Sequence, residues 1–210
     1  VFICGRDPER LSATVSEIQG KGGDVSGLAV DLNCTEGILQ LFKESDKWLK
    51  GLDIAILNAG IGSKGELIDM THEECREVIS VNLLSVISCS LESMKRLTKH
   101  GGHLIMTGSM SADVFDTRAS VYVAAKCGIR GFARCLRKEA NPKGVKVSVV
   151  EPGSISTDMV DETQEEQEIM IKEGRMLRSE DVAEAMLYLI SQPPWCDVIE
   201  LKLRPHLQLI

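Results

Sequence analysis

Long apolar runs are missing from this chain: its most hydrophobic stretches are of strand length or are broken by charge, so none reads as a membrane span. No stretch has the layout of a signal peptide. Positive charge is in short supply. A formal net charge of −7, with no basic stripe to neutralise phosphates, argues against broad nucleic-acid binding. Cys-x-x-Cys pairs are also lacking. The seven cysteines, odd in number and scattered among apolar residues, fit buried thiols in a reducing cytosol. His100 and His103 make a metal-like pair, but no cysteine or carboxylate set stands nearby to complete a site, and a loop entering a strand is the better reading. Without repeats, linkers or low-complexity tracts, 210 residues of 43% hydrophobic content are expected to fold as one domain with a proper core.

What is present is an alternation of short β-like runs and amphipathic helices. Val1–Cys4 is apolar and leads to Asp7-Pro8, an N-cap with proline at the first helical position; Leu11, Val15 and Ile18 then share one face. Val25–Val30 followed by a helix from Thr35 to about Lys50 repeats the pattern, and Asp53–Leu57 is a third strand running into Asn58-Ala59-Gly60. Thr71 and Glu74 form a capping box opening a long helix to about Thr98, in which Asn82 is a polar side chain among apolar neighbours. Val145–Val150 is a strand ending at Glu151-Pro152-Gly153. Residues 154–178 are acidic and weakly periodic, Ser179 caps a helix to about Ser191, and Val198–Leu203 is the last strand. Strands alternating with helices predict a doubly wound α/β domain with a parallel sheet covered on both faces.

The stretch 101–141 carries the chemistry. His103–Thr107 reads as a strand, and Ala125, Ile129, Phe132, Ala133 and Leu136 give helical periodicity from about Ser120. Tyr122 and Lys126, four apart, share a face of that helix, and Ser109 sits in the loop that leads to it. Carbonyl reduction needs a proton donor at oxygen while hydride arrives at carbon, and a free phenol with a pKa of roughly 10 is a poor partner near neutrality. A lysine cation about 4 Å away is worth on the order of 4 kcal/mol at an effective dielectric of 20, or roughly three pKa units in favour of the phenolate. Ser109 would hold the substrate oxygen beside the phenol, with Ser111 as its rival.

Asn58-Ala59-Gly60, Asn82, Ser109, Tyr122-x-x-x-Lys126 and Pro152-Gly153 followed by Thr157 together resemble, in order and spacing, the motif series of the short-chain dehydrogenase/reductase family. The ending, Glu180-Asp-Val-Ala-Glu-Ala through Leu203-Arg-Pro, is similar to a subgroup of NADP-dependent reductases that act on 3-hydroxy acids and small carbonyls, oxoacyl-carrier-protein reductases among them. The resemblance implies that Tyr122 is the acid/base. It makes Lys126 the partner of Tyr122 and a ligand of the nicotinamide ribose, and Ser109 the residue that orients the carbonyl. Asn82 would hold a proton-relay water, or satisfy helix backbone, or both. Asn58, Ala59 and Gly60 would let the cofactor's adenosine approach closely. Asp31, unless it merely forms a turn, would accept from the adenine amino group, with Leu32 beside it. Pro152, Gly153 and Thr157 would pass over the nicotinamide.

Cofactor choice follows from Arg6. An NAD enzyme of this architecture places an acid at the end of the relevant strand for the ribose 2′-hydroxyl, whereas here Gly5 is followed by a guanidinium that forks onto a phosphate. NADP (NADPH) is the expected cofactor. The family's first strand and its glycine-rich Thr-Gly-x-x-x-Gly-x-Gly turn have no counterpart. The resemblance therefore implies a Rossmann-like fold lacking that strand and turn, a piece of a longer reductase opening at the second strand. The expected activity is hydride transfer between nicotinamide and a carbonyl or secondary alcohol. The alternative is a non-catalytic cofactor-sensing or partner subunit, or an inactive fragment. The segment 154–178, with Met159, Val160, Met170, Ile171 and Met176, is expected to be the substrate lid. A cytoplasmic homodimer or homotetramer pairing through helices 71–98 and 119–141 is implied.

Overall fold

The computed structural model describes residues 1–63 and 65–208. The chain opens with β1 (Phe2–Gly5), α1 (Pro8–Gly20) and β2 (Ser26–Ala29), whose two strands pair in parallel. Asp7 caps α1 as expected, its carboxylate accepting from the backbone N–H groups of Glu9 and Arg10, with Pro8 at the first position where no donor is needed. α2 (Thr35–Trp48) follows, then β3 (Ile54–Leu57), α3 (His72–Ile79), α4 (Ser85–Leu97) and β4 (Gly102–Thr107). The capping box of Thr71 and Glu74 opens α3. A π-helical turn, Ser80–Leu84, joins α3 to α4 in one continuous helix. That helix, His72–Leu97, is long and apolar enough to cross a membrane by length and composition, but half of its most apolar window is buried inside the protein. It is the core helix of an α/β layer.

After β4 come a short α5 (Ser111–Val114), the 21-residue α6 (Ser120–Ala140) and β5 (Val145–Pro152). α7 (Gln164–Lys172), α8 (Ser179–Ile190) and β6 (Glu200–Leu203) complete it. Strands β3-β4-β5-β6 form a four-stranded parallel sheet in that order. Alternation along β4 and β5 decides its two faces: Leu104, Met106, Val147 and Val149 pack against α4 and α6, while Ile105 and Val150 meet Val182, Met186 and Leu189 of α8. Each such side chain contributes about 1.5 to 3 kcal/mol by leaving water.

One expectation is met and two need correction. A doubly wound fold lacking the family's first strand was expected, and among the described residues β1 and β2 form their own parallel sheet, with no ladder joining β1 to β3. The two parts meet instead through α2, whose Ile38 and Phe42 pack with Cys89 of α4 and with Leu52 and Leu57 flanking and ending β3. Ile54 and Ile56, on the open edge of β3, are left 38% and 44% exposed. The cap of α8 is Arg178, not Ser179: the Asp181 carboxylate accepts from the Arg178 N–H at 2.7 Å, while the Ser179 hydroxyl donates to the carbonyl of Ser156. The segment 154–178 is not irregular throughout, because Thr163 and Glu166 build a second capping box that starts α7.

Candidate active site

The carboxyl ends of β3, β4 and β5 open into a cleft of about 1250 Å³. Its floor is set by α6. Tyr122 and Lys126 project from the same face one turn apart, and the Lys126 Nζ lies 5.5 Å from the Tyr122 ring centre. Lys126 is 5% exposed and donates to the Thr107 carbonyl at the end of β4, at 3.0 Å. Burial pushes its ammonium down to about 8, far below an ordinary lysine. Tyr122 moves the other way from the expectation of a lowered phenol. Burial raises it, and a hydrogen bond with Ser109 offsets only part of that rise. The reason is that low dielectric disfavours both charged forms, raising the phenol and lowering the ammonium. Between the rival serines, Ser109 is the one whose hydroxyl acts to lower the phenol, and it also accepts the N–H of Ser111 at 3.1 Å.

Asn82 stands behind this floor, fully buried in the π-helical turn. Its amide donates to the carbonyls of Ile61 at 2.9 Å and Val78 at 3.0 Å, and its oxygen accepts the Ile61 N–H at 3.1 Å. The backbone after β3 is thus clamped to the helix by one side chain. Gly60 is required by this clamp, since a Cβ there would stand 2.8 Å from the Asn82 oxygen. Asn58 accepts from the Thr107 hydroxyl at 2.8 Å, linking the ends of β3 and β4. On the far wall, the backbone of Gly153 is covered by Gln208: a Cβ would come 2.1 Å from the Gln208 oxygen, which accepts the Ser154 N–H. Thr157 turns its hydroxyl to the N–H of Met159 at 3.2 Å.

The structure therefore brings Asn58, Gly60, Ser109, Tyr122, Lys126, Pro152, Gly153 and Thr157 to one cleft. It does not bring Ala59, Asp31, Leu32 or Arg6 into that lining. Asp31 forms a turn, accepting from the Asn33 N–H at 2.9 Å, and Leu32 packs on the α2 cluster. Arg6 extends from the end of β1 towards Glu77 of α3 at 3.6 Å, with over half of its side chain exposed. Sequence reasoning missed Arg118, which lines the cleft from a left-handed backbone (φ 64°) and accepts the Gly65 N–H on its carbonyl at 2.7 Å. Nothing local marks a non-glycine residue for that conformation.

The model of the short chain dehydrogenase family matches residues 1–168. The chain belongs to the short-chain dehydrogenase/reductase family. Carbonyl reductase family member 4 of Xenopus tropicalis is 31% identical over 195 residues, covering 92% of this chain and 81% of that protein. The 3-oxoacyl-[acyl-carrier-protein] reductase FabG of Chlamydia pneumoniae is 34% identical over 198 residues, 91% of this chain and 79% of its own length. Among solved structures, an alcohol dehydrogenase of the archaeon Thermococcus sibiricus complexed with 5-hydroxy-NADP superposes with a TM-score of 0.89 at 26% identity, over all of this chain and 87% of its own. This chain is accordingly an oxidoreductase, of a family that uses nicotinamide cofactors and acts on small-molecule substrates.

Proposed function

We propose that the cleft carries out NADP-dependent interconversion of a carbonyl and its alcohol, with Tyr122 as the acid/base. The observation that carries this reading is the joining of Ser109, Tyr122 and Lys126 at one cleft floor, with the lysine ammonium 5.5 Å from the phenol ring centre. The nicotinamide supplies the hydride in reduction and accepts it in the reverse direction. The chain's own residues do the rest. Ser109 holds the substrate oxygen beside the phenol, and Tyr122 gives that oxygen its proton. Lys126, still protonated below about pH 8, faces the phenolate left behind and holds the ribose of the cofactor. Asn82 keeps the wall behind Gly60 in register and is assigned the proton-relay water.

The residues present fit a nicotinamide cofactor. Asn58 and Gly60 line the cleft on one wall and Pro152, Gly153 and Thr157 on the other, leaving a long channel between them, and Ala59 is assigned to the adenosine beside Gly60. We assign Arg6 to the 2′-phosphate of NADP because its guanidinium is exposed and only loosely paired. The relative complexed with 5-hydroxy-NADP is in keeping with that choice. Asp31 and Leu32 are assigned to the adenine side, and residues 154–178 to the lid over a small carbonyl or hydroxy substrate. We place the protein in the cytoplasm as one domain, paired with further copies through the helix His72–Leu97, where Leu84 and Leu91 are exposed, and through α6.

Replacing the phenol tests the reading directly. Tyr122→Phe is expected to cut kcat by roughly 10²- to 10⁴-fold with NADPH affinity nearly unchanged. Turnover within a few-fold of the parent would remove Tyr122 from the role.

A further inference from the structure

Beneath the cleft lies a group of charges to which the chemistry above gives no task. Glu151, the residue before Pro152-Gly153, is fully buried at the end of β5. Arg130 stands one turn beyond Lys126 on α6, and its guanidinium reaches Glu151 Oε1 through Nε at 2.8 Å and Nη2 at 2.7 Å. The Arg130 Nη1 donates to Asp113 of α5 at 2.7 Å. Lys202 of β6 closes the group, donating to the other Asp113 oxygen at 2.6 Å and standing 3.6 Å from Glu151 Oε2. Gly108, next to Ser109, lies against the Glu151 side chain so closely that a Cβ there would be 2.9 Å from its Cγ.

Three segments meet at one guanidinium. The loop from Gly108 to α5 supplies Ser109, the end of β5 leads into the wall at Pro152-Gly153, and α6 carries Tyr122 and Lys126. Burial disfavours the Arg130 cation, but its hydrogen bonds to Asp113 and Glu151 more than offset this, so it remains charged throughout the range in which the protein is folded. Stability alone does not account for such a group. Replacing a buried ion pair by apolar side chains of similar volume is often neutral or stabilising. Charge-assisted hydrogen bonds from Nε to Glu151 and from Nη1 to Asp113 supply direction, which an apolar contact lacks.

We propose that Arg130 is a positioning residue: by clamping Glu151 and Asp113 to α6 it fixes the Ser109 hydroxyl against the Tyr122 phenol. The inference rests on the reading of that pair as the carbonyl-handling groups. Its test is the double variant Arg130→Met/Glu151→Met, which removes both charges at similar volume and leaves the Asp113–Lys202 pair in place. The expected result is an unfolding midpoint at or above that of the parent, kcat lowered roughly 10- to 100-fold as for a small misplacement of reacting groups, and substrate KM changed less than threefold. The single Arg130→Lys is expected to keep an intermediate rate.

A second measurement needs no turnover. With Tyr188→Phe as background, ¹³C-tyrosine NMR follows Tyr122 alone, and the double variant is expected to titrate at higher pH than the parent because the Ser109 hydrogen bond that lowers it is loosened. An unchanged rate with an unchanged Tyr122 titration overturns the proposal. A double variant that loses its folded midpoint along with its rate also overturns it, since the pair is then merely structural. If the parent itself reduces no carbonyl, the reading of the cleft fails, and the Tyr122 titration still decides whether Arg130 positions the pair.

Discussion

The two sheets of this molecule are built to different depths. In the four-stranded sheet, Leu104, Ile105, Met106, Val147, Val149 and Val150 are all at most 1% exposed, with helices on both faces. In the two-stranded sheet no residue of β1 or β2 is buried, and neither is any residue of α1 between them. The acid/base candidates belong to the first part and Arg6 belongs to the second. Catalytic geometry and cofactor selectivity thus rest on scaffolds of unequal rigidity. The shallower part is held by α2, by the exposed pair of Arg6 with Glu77, and by that of Arg10 with Asp158, and surface pairs of this kind are worth little each.

Core truncation is the strongest way to break this contrast. Ile105→Ala is expected to cost about 2 to 5 kcal/mol in urea unfolding, and Ile3→Ala in β1 only about 1. Equal costs would show the two sheets to be equally consolidated. Selectivity comes next in size. Arg6→Ala is expected to weaken NADPH by on the order of 2 kcal/mol while leaving NADH nearly unaffected, measured by calorimetry. The same loss for both cofactors would detach the 2′-phosphate from the shallow part altogether.

The smallest effect probes the cost carried at the centre of the deep part. Lys126 titrates at about 8 when folded against 10.5 for the ordinary side chain, so the unfolded chain holds the extra proton between those values. Stability from this group is present above about pH 10.5 and is lost as pH falls to 8. At pH 7 the charged lysine costs about 3 kcal/mol, offset in part by its bond to Thr107. Lys126→Met is therefore expected to stabilise by about 1 to 2 kcal/mol at pH 7. The gain should fade as pH rises through that window, and thermal melts at pH 7 and 10 would reveal a constant gain if burial were not its cause.

Local rules made much of this legible. The Asp7-Pro8 cap, the Thr71 and Glu74 box, and the shared face of Tyr122 and Lys126 follow from spacing along a helix, and all three appear in the structure. Asn82 advertised itself as a polar residue among apolar ones, although the carbonyls that use its amide lie partly in a distant loop. The box at Thr163 and Glu166 repeats the logic of Thr71 and Glu74 but was overlooked, because the first five residues of the helix after it are all acid or amide. The separation of β1 from β3 follows from the absent first strand, which the motif series made visible. The Arg130 cluster draws on four elements and leaves no periodic trace.

The π-helical turn at Ser80–Leu84 gives the helix a sensitivity to length rather than to composition. Such a turn accommodates one residue more than the α-helical path around it needs. A single-codon deletion inside it would let the helix close as plain α with α3 and α4 keeping their relative facing, at the cost of the buried place that Asn82 holds against Ile61 and Val78. A one-residue insertion in α4 has no such absorber and would turn one side of the helix by roughly 100° relative to the other, since each α-helical residue advances by that angle. Drift in the length of His72–Leu97 is therefore confined to the five residues Ser80–Leu84.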